Sequence, residues 1–314
     1  MKKALIIGSG LTGTFIAHEF ANKELEVLVM DINPIHDYFY RYCSRENTKL
    51  IQVDVLDKNS LENHFALFKP DLVVIAFGFS ADQTRAQPER TKNTQLKGTE
   101  NILNCSKAVG VKKLIYISSL SVYGDTKHLS DLTEDSPTNP SSLYGKIKLE
   151  VENYLLAYKT NISITVLRSS GVFGPILLDK GSRSSKIIEH FLVCSLNQIP
   201  IKIDVNKNYC DDFIYVKDLS SAVSRIALSK AEPIYNIFNV AQGQLTNFDD
   251  ILNAFTKLFP NLKIEINRIS TNSTINRLPL NPERIKKCFG FKCNYNLYEA
   301  IEDYSRISNL KVLC

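Results

Sequence analysis

The chain has 314 residues, of which 44% are hydrophobic, and its formal net charge at pH 7 is +5. This length suits one large domain, or a large and a small one, with a sizeable core. Basic residues are scattered among acidic ones, which argues against a nucleic-acid-binding protein, and the lack of an apolar run of about 18 residues argues against a membrane span.

Thiols and imidazoles are dispersed along the chain. The seven cysteines include no Cys-x-x-Cys pair, and their odd number is typical of reduced thiols in a cytosolic protein. The five histidines show no metal-ligand spacing, and no signal-peptide pattern precedes the first predicted strand. We therefore expect a cytoplasmic protein without a metal.

The first predicted strand, residues 3–7, runs into a glycine-rich turn. The turn reads Gly8-Ser9-Gly10-Leu11-Thr12-Gly13, and a helical pattern follows it. Glycines at these positions permit a tight turn and a close approach of the backbone to a pyrophosphate, while the helix N-terminus offers free N–H groups. The pattern predicts a dinucleotide site formed by Gly8, Gly10, Leu11, Thr12 and Gly13.

Asp31 ends the second predicted strand, residues 26–30. A carboxylate about 20 residues after the glycines can accept hydrogen bonds from the adenosine ribose and would repel a 2′-phosphate. The position therefore favours NAD over NADP. Arg41 and Arg45 could contradict this preference if they folded back toward Asp31.

Apolar strand patterns alternate with helical ones, which predicts an α/β fold with a Rossmann-type, doubly wound parallel sheet. Further strands are predicted at residues 50–53, 72–75, 113–117, 164–167 and 234–240, and helices at 61–68, 94–109, 144–158, 185–196, 249–259 and 297–309. We expect a dinucleotide-binding domain at 1–170, with later strands near 205–240, and a smaller C-terminal substrate-binding lobe at 171–314.

Tyr144 and Lys148 stand four residues apart on a predicted helix, so they share one face. A free phenol titrates near pH ~10, and a nearby cation lowers that value. Asn139 and Pro140 are predicted to cap and begin the helix, which would place Tyr144 at its positive end. This arrangement can move a proton on and off a substrate hydroxyl.

Together these motifs resemble the extended short-chain dehydrogenase/reductase family, specifically its NAD-dependent epimerase/dehydratase group, which modifies nucleotide sugars. The resemblance covers nearly the whole chain. It is carried by the glycine turn, Asp31 and Tyr144/Lys148, together with the segments at residues 53–57, 93–103, 118–124, 168–175 and 213–218.

The resemblance implies roles for further residues. Tyr144 is the general base and acid, Lys148 holds the nicotinamide ribose and lowers the pKa of the tyrosine, and Ser119 hydrogen-bonds the reacting oxygen. Asp54 and Val55 lie at the adenine, while Ser121 and Asn93 lie at the substrate. Arg277 is expected to bind the diphosphate of the substrate, with Arg183 and Lys180 as alternatives. A homodimer through the helices at 94–109 and 144–158, with apolar outward faces, is also implied.

The chemistry is left open between two redox reactions. The related 4,6-dehydratases carry an Asp-Glu pair where this chain has Leu120 and Ser121, so dehydration is not expected. An epimerase that removes and returns a hydride at a sugar carbon is preferred. A reductase or dehydrogenase of a ketosugar or other carbonyl substrate is the alternative, and a non-catalytic dinucleotide-binding regulator is the third.

Overall fold

The computed structural model describes residues 2–124, 130–175, 183–206, 209–230, 236–269 and 278–308. Its elements, in chain order, are β1 (Lys3–Ile7), α1 (Leu11–Asn22), β2 (Glu26–Asp31), α2 (His36–Tyr42), β3 (Thr48–Gln52), α3 (Lys58–Phe68), β4 (Leu72–Ile75), α4 (Ala81–Ala86), α5 (Pro88–Val109), β5 (Lys113–Ser119), α6 (Leu143–Ala157), β6 (Ser163–Ser169), β7 (Gly171–Phe173), α7 (Arg183–Leu196), β8 (Ile201–Asn206), β9 (Cys210–Asp211), β10 (Phe213–Tyr215), α8 (Val216–Leu228), β11 (Ile237–Val240), β12 (Thr246–Asn247), α9 (Phe248–Leu258), β13 (Ile264–Ile269), α10 (Glu283–Phe289) and α11 (Leu297–Ile307).

A central sheet of seven parallel strands organises the fold. Its order is β11-β6-β5-β4-β1-β2-β3, and every neighbouring pair is parallel. All seven strands were predicted from their apolar runs, and the α/β doubly wound fold class is confirmed. The chain reverses its direction of winding at β1 and β4, so the carboxyl ends of these strands flank a crevice suited to ligand binding.

Helices cover both faces of this sheet, because its strands are apolar on both sides. One core cluster packs α1, α8 and α10 against the sheet. The other packs α3, α5 and α6 against the opposite face. The first cluster holds α1, which follows the glycine turn, and the second holds α6, which contains Tyr144.

The C-terminal half builds a third apolar cluster from α7, α9 and α11, with aromatic side chains from β7 and β10. Three two-stranded sheets lie in this half: β10-β7, β12-β9 and β13-β8. Strand β11 also comes from this half but joins the central sheet. The domain boundary near residue 170 stays a prediction.

Helix α6 begins within one residue of the helix predicted at 144–158, but later than the predicted cap at Asn139. Ser142 is its N-cap, and the Ser142 hydroxyl accepts from the Gly145 N–H at 3.0 Å. Asn139 is instead paired with Gly124 in an isolated β-bridge, and its N–H donates to the Tyr123 carbonyl at 3.2 Å. The prediction that Asn139 caps this helix is therefore wrong, because its backbone is already committed to that bridge.

Candidate active site

The candidate site lies at the carboxyl edge of the central sheet. Because the strands are parallel, the segments that follow β1, β4 and β5 emerge at the same edge. These segments are the glycine-rich turn, the Ala76–Phe79 stretch and the serines at 118–121. Helix α6 brings Tyr144 and Lys148 to the same edge.

The glycine-rich turn is built around two close approaches. Gly8 has φ of 102°, and its N–H donates to the Met30 carbonyl at 2.7 Å. A Cβ on Gly13 would lie 1.8 Å from the Gly8 carbonyl oxygen, so only glycine lets α1 approach the turn. A Cβ on Gly10 would meet nothing within 4 Å, so the turn presents open space there.

Gly10 is the N-cap of α1, and no side chain caps this helix. The N–H groups at Leu11 and Thr12, in its first turn, stand at its positive end beside that open space. This turn has the shape and polarity required to hold a pyrophosphate. The residues predicted for the dinucleotide site are therefore assembled, and their contact with a cofactor stays a prediction.

Asp31 lies beside the turn, at the end of β2. It accepts hydrogen bonds from both the backbone and the hydroxyl of Ser9. Asp54, two residues after β3, accepts from the Leu56 N–H at 2.9 Å, and the Val55 carbonyl accepts from Asn101 Nδ2 at 3.0 Å. Both loops are thus held in place by local hydrogen bonds.

Ser119 ends β5 and meets the start of α6. Its hydroxyl accepts from the Ser121 N–H at 3.2 Å and donates to Ser121 Oγ at 3.3 Å. A Cβ on Gly145 would lie 2.3 Å from the Ser121 carbonyl oxygen. Glycine at 145 therefore permits the first turn of α6 to pack on the Ser119–Ser121 segment, which brings Tyr144 beside Ser119.

Tyr144 is partly buried, in the first turn of α6. Burial raises the pKa of its phenol above the usual value, and a hydrogen bond with Ser119 acts in the opposite direction. Desolvation outweighs the effect of Ser119 here, and the expectation that Lys148 lowers the pKa of Tyr144 stays a prediction. A phenol with a raised pKa keeps its proton at neutral pH.

Lys148 lies one turn further along α6 and is only 5% exposed. Its Nζ donates to the Ile117 carbonyl at 3.0 Å and lies 6.0 Å from the centre of the Tyr144 ring. Burial lowers the pKa of Lys148 to about 8, and the carboxylate of Glu152 opposes that shift. The predicted shared face of Tyr144 and Lys148 is thus observed.

The α5 side chain at the site is Gln95 rather than Asn93. Asn93 is exposed on the outer side of α5, where it lines a shallow groove with Glu150 and Tyr154 of α6, and its substrate-binding role stays a prediction. Gln95 is 1% exposed. A Cβ on Gly78 would lie 2.8 Å from Gln95 Nε2 and 3.5 Å from Lys148 Nζ.

Two buried polar side chains near Lys148 were missed by the sequence analysis. Gln95 Oε1 is buried with no hydrogen-bond partner among the described residues. Glu152, fully buried, follows Lys148 by four residues. The sequence could have indicated both, because polar residues recur at every fourth position along one helix face. They do so at Thr91, Gln95 and Thr99, and again at 144, 148 and 152.

The cationic residues predicted to bind the substrate diphosphate lie mostly outside the part of the chain that the structure describes. Arg277 lies outside the described residues, as does Lys180. Only the backbone of Arg183 is described, as the first residue of α7. Ser121 is half-buried next to Ser119, and its assignment to the substrate stays a prediction.

The outward faces of α5 and α6 are not unusually apolar, contrary to expectation. The groove between them carries several charged side chains, and Lys92 Nζ forms an ion pair with Glu150 at 3.3 Å. Leu96 and Tyr154 add a small apolar part. The homodimer stays a prediction.

Comparison with known families decides the classification. The model of the NAD dependent epimerase/dehydratase family matches residues 4–241. The chain belongs to this family. It is therefore an NAD-dependent enzyme by descent, with the Rossmann-type sheet, glycine turn and Tyr144/Lys148 pair described above.

Several family members resemble the chain in sequence. Protein CapI of Staphylococcus aureus is 29% identical over 244 residues, which cover 74% of this chain and 71% of CapI. A UDP-glucuronate 4-epimerase of Thermodesulfobacterium geofontis is 26% identical over 238 residues, which cover 72% and 71% of the two chains. The chain spans 45% of the bifunctional protein gal10 of Schizosaccharomyces pombe, to which it is 25% identical over 332 residues that cover 94% of this chain.

Solved structures share the fold. A UDP-glucose 4-epimerase from Thermotoga maritima, solved with UDP-glucose, has a TM-score of 0.84 at 21% identity and matches 97% of this chain and 98% of its own. A Thermus thermophilus UDP-glucose 4-epimerase, solved with NAD, has a TM-score of 0.82 at 23% identity with the same coverage.

No helix in the described ranges combines the length and apolar character needed to cross a membrane. In the same part of the chain, no group of three or more His, Cys, Asp or Glu side chains is placed to hold a metal ion.

Proposed function

We propose that the chain is an NAD-dependent epimerase acting on a nucleotide sugar, with Tyr144 as its general base and acid. The observation that carries this proposal is the position of Tyr144 beside Ser119, at the same sheet edge as the glycine turn. Lys148, one turn beyond Tyr144, adds a buried cation. This set can couple a proton transfer to a redox change at one carbon.

The chain's own residues would handle the proton and the substrate oxygen. Tyr144 would take the proton of a sugar hydroxyl and later return it, and Ser119 would donate a hydrogen bond to the same oxygen. Lys148 would hold the nicotinamide ribose hydroxyls and favour the phenolate by its charge. NAD, when bound, supplies the hydride acceptor and donor that inversion at a sugar carbon requires.

NAD fits the cofactor-binding residues better than NADP. Asp31 would accept from the adenosine ribose hydroxyls and repel a 2′-phosphate. The arginines that could have reversed this preference have other partners: the Arg45 guanidinium stacks 3.7 Å above the Tyr40 ring, and Arg41 interacts electrostatically with Tyr42. Asp54 and Val55 would line the adenine.

A reductase or dehydrogenase of a ketosugar remains the second candidate, because it needs the same Ser119, Tyr144 and Lys148. The 4,6-dehydration is not favoured, since Leu120 and Ser121, in the turn after Ser119, cannot move a proton on and off carbon. The epimerase regenerates its cofactor in each turnover and the reductase or dehydrogenase does not, so the cofactor cycle discriminates between them.

The test is to purify the protein without added nucleotide, denature it and quantify NAD(H) per chain. We expect close to one NAD per chain, because an epimerase regenerates its cofactor at every turnover. A panel of UDP- and dTDP-sugars would then be screened for inversion by NMR, with Tyr144→Phe as the inactive control. An empty protein that binds NAD and consumes it stoichiometrically with a carbonyl substrate would favour the reductase.

The non-catalytic alternative makes a different prediction. A regulator would bind NAD yet convert no nucleotide sugar, and Tyr144→Phe would leave its cellular role unchanged. A protein that binds neither NAD nor NADP would overturn the proposed function outright.

A further inference from the structure

Glu152 is a buried carboxylate that the proposed chemistry does not use. It follows Lys148 by four residues on α6, as Lys148 follows Tyr144, so the three side chains share one face of the helix. Glu152 is 0% exposed. Burying a charge is costly unless it is paired and hydrogen-bonded, so its position calls for a physical account.

Two elements of the sheet hold this carboxylate. Arg168 on β6 approaches it as a fork, with Nη2 2.7 Å from Oε2 and Nε 3.1 Å from the same oxygen. The hydroxyl of Ser118 on β5 donates to Oε1. Ser118 immediately precedes Ser119, so the carboxylate fixes the end of β5 at the residue next to the candidate site.

Glu152 also contributes to the charge environment of Lys148. The titratable and charged groups around Lys148 are Tyr144 and Glu152 from its own helix, Tyr116 from β5, whose ring centre lies 4.8 Å from Nζ, and Arg168 from β6, behind Glu152. The α5 side chain there, Gln95, is neutral. Burial alone would favour the uncharged amine, and Glu152 is the group that opposes this effect.

We propose that Glu152 is a positioning residue that keeps Lys148 protonated and holds the Ser118–Ser119 end of β5, with Arg168 as its anchor. The inference rests on the proposed function for what the Lys148 charge does. The charge on Lys148 itself can be measured without cofactor or substrate, so this inference and the proposed function can be refuted independently of each other.

The first experiment is an NMR titration of the protein labelled with ¹³C at lysine Cε. The Lys148 signal is assigned by its loss in Lys148→Met. We expect Glu152→Gln to lower the titration midpoint of Lys148 by about one pH unit or more, since an opposite charge at this range shifts a pKa by that amount. Glu150→Gln is the matched control, because Glu150 lies on the same helix but is exposed and paired with Lys92. Equal midpoints in all three proteins would overturn the proposal.

Glu152→Gln leaves Arg168 buried without its partner and could prevent folding. Glu152→Met with Arg168→Met removes both charges at similar volume, which buried ion pairs tolerate. The midpoint should still fall in this double variant, because Glu152 is on the same helix as Lys148 and raises its pKa, whereas Arg168 lies on β6 against Glu152. An unchanged midpoint would overturn the proposal here as well.

The second readout is the pH dependence of kcat/KM. Loss of the Glu152 charge should move the alkaline limb to lower pH by the same amount as the Lys148 midpoint, which a purely structural defect would not do. If the parent is active and the alkaline limb of its kcat/KM profile does not move in Glu152→Gln, this inference is contradicted and the proposed function is not. An inactive parent enzyme would instead contradict the proposed function and leave the titration as the test.

Discussion

Ser9 and Asp31 are joined by two hydrogen bonds to a single oxygen: the Ser9 N–H and the Ser9 hydroxyl both donate to Asp31 Oδ2, at 2.7 and 3.0 Å. The other oxygen, Oδ1, accepts from the Asn33 N–H at 2.8 Å. The Asp31 carboxylate is therefore fixed between the glycine-rich turn and the end of β2. Its charge is held at the place where an adenosine ribose would lie.

Replacing this carboxylate should change the choice of cofactor. In Asp31→Asn we expect NAD affinity to fall by a factor on the order of 10–100, because a hydrogen bond to a charged group contributes ~1.5–3 kcal/mol. The preference for NAD over NADP should narrow, because the repulsion of a 2′-phosphate is lost. Calorimetric titration with both cofactors measures the ratio. Asp37→Asn, an exposed position on α2, is the control, and an unchanged ratio in Asp31→Asn would refute the assignment.

The phenol of Tyr144 is expected to carry the proton transfer. Tyr144→Phe should reduce kcat by a factor on the order of 10²–10⁴, the range for a lost general acid–base, while the retained NAD per chain stays the same. Tyr154→Phe removes a hydroxyl on the outer side of the same helix and should leave kcat near that of the parent. If both variants retained full activity, Tyr144 would not be the base.

Alanine should have different effects at Gly13 and Gly10, the first on stability and the second on NAD binding. In Gly13→Ala the new methyl group would collide with the Gly8 carbonyl oxygen, and we expect a loss of roughly 1–3 kcal/mol or more in the free energy of unfolding. Gly10→Ala meets no protein atom, so the fold should stand while NAD binding weakens. Thermal denaturation and NAD titration of both variants check this. A stable Gly13→Ala protein would disprove the close packing of α1 on the turn.

Asp212 should make stability depend on pH. Burial raises the pKa of this carboxyl to about 7, whereas an unfolded Asp titrates near ~3.9. The folded chain therefore holds the proton more tightly, so its contribution is complete below pH ~4 and is lost as the pH rises through 7.

The Asp212→Asn variant cannot ionise and can still accept from the Leu280 N–H, a bond of 3.0 Å in the parent. Between pH 5 and 8 the parent should lose on the order of 2–3 kcal/mol relative to this variant. Urea unfolding at the two pH values measures the difference. Parallel pH profiles for the parent, Asp212→Asn and the exposed Asp37→Asn would contradict the raised pKa.

The central sheet was predictable from the sequence because most of its strands are buried on both faces. Such strands read as apolar runs, as in residues 72–75, which form β4 with the predicted bounds. Strands β7, β9, β10 and β12 were not predicted, because they are two or three residues long and depend on long-range pairing rather than on a local pattern.

The site was predictable where spacing alone determines geometry. Tyr144 and Lys148 share a face because four residues make about one helical turn. Asn93 and Gln95 show the limit of this reasoning, since a difference of two residues moves a side chain to the other side of α5 and only the packing partners reveal which is buried. The cap of α6 could not be predicted from the local pattern, because Asn139 is held by its bridge to Gly124.

The packing of α1 against α8 has a consequence for the order of folding. Ile16, Ala17 and Phe20 of α1 are covered by Leu219, Val223 and Ile226 of α8, about 200 residues later in the chain. Synthesis adds roughly 5–20 residues per second, so α1 would be made many seconds before α8 could pack against it. A nascent chain of this kind exposes an apolar helix face, and we expect the glycine-rich turn to become ordered only after more than two thirds of these 314 residues have been made.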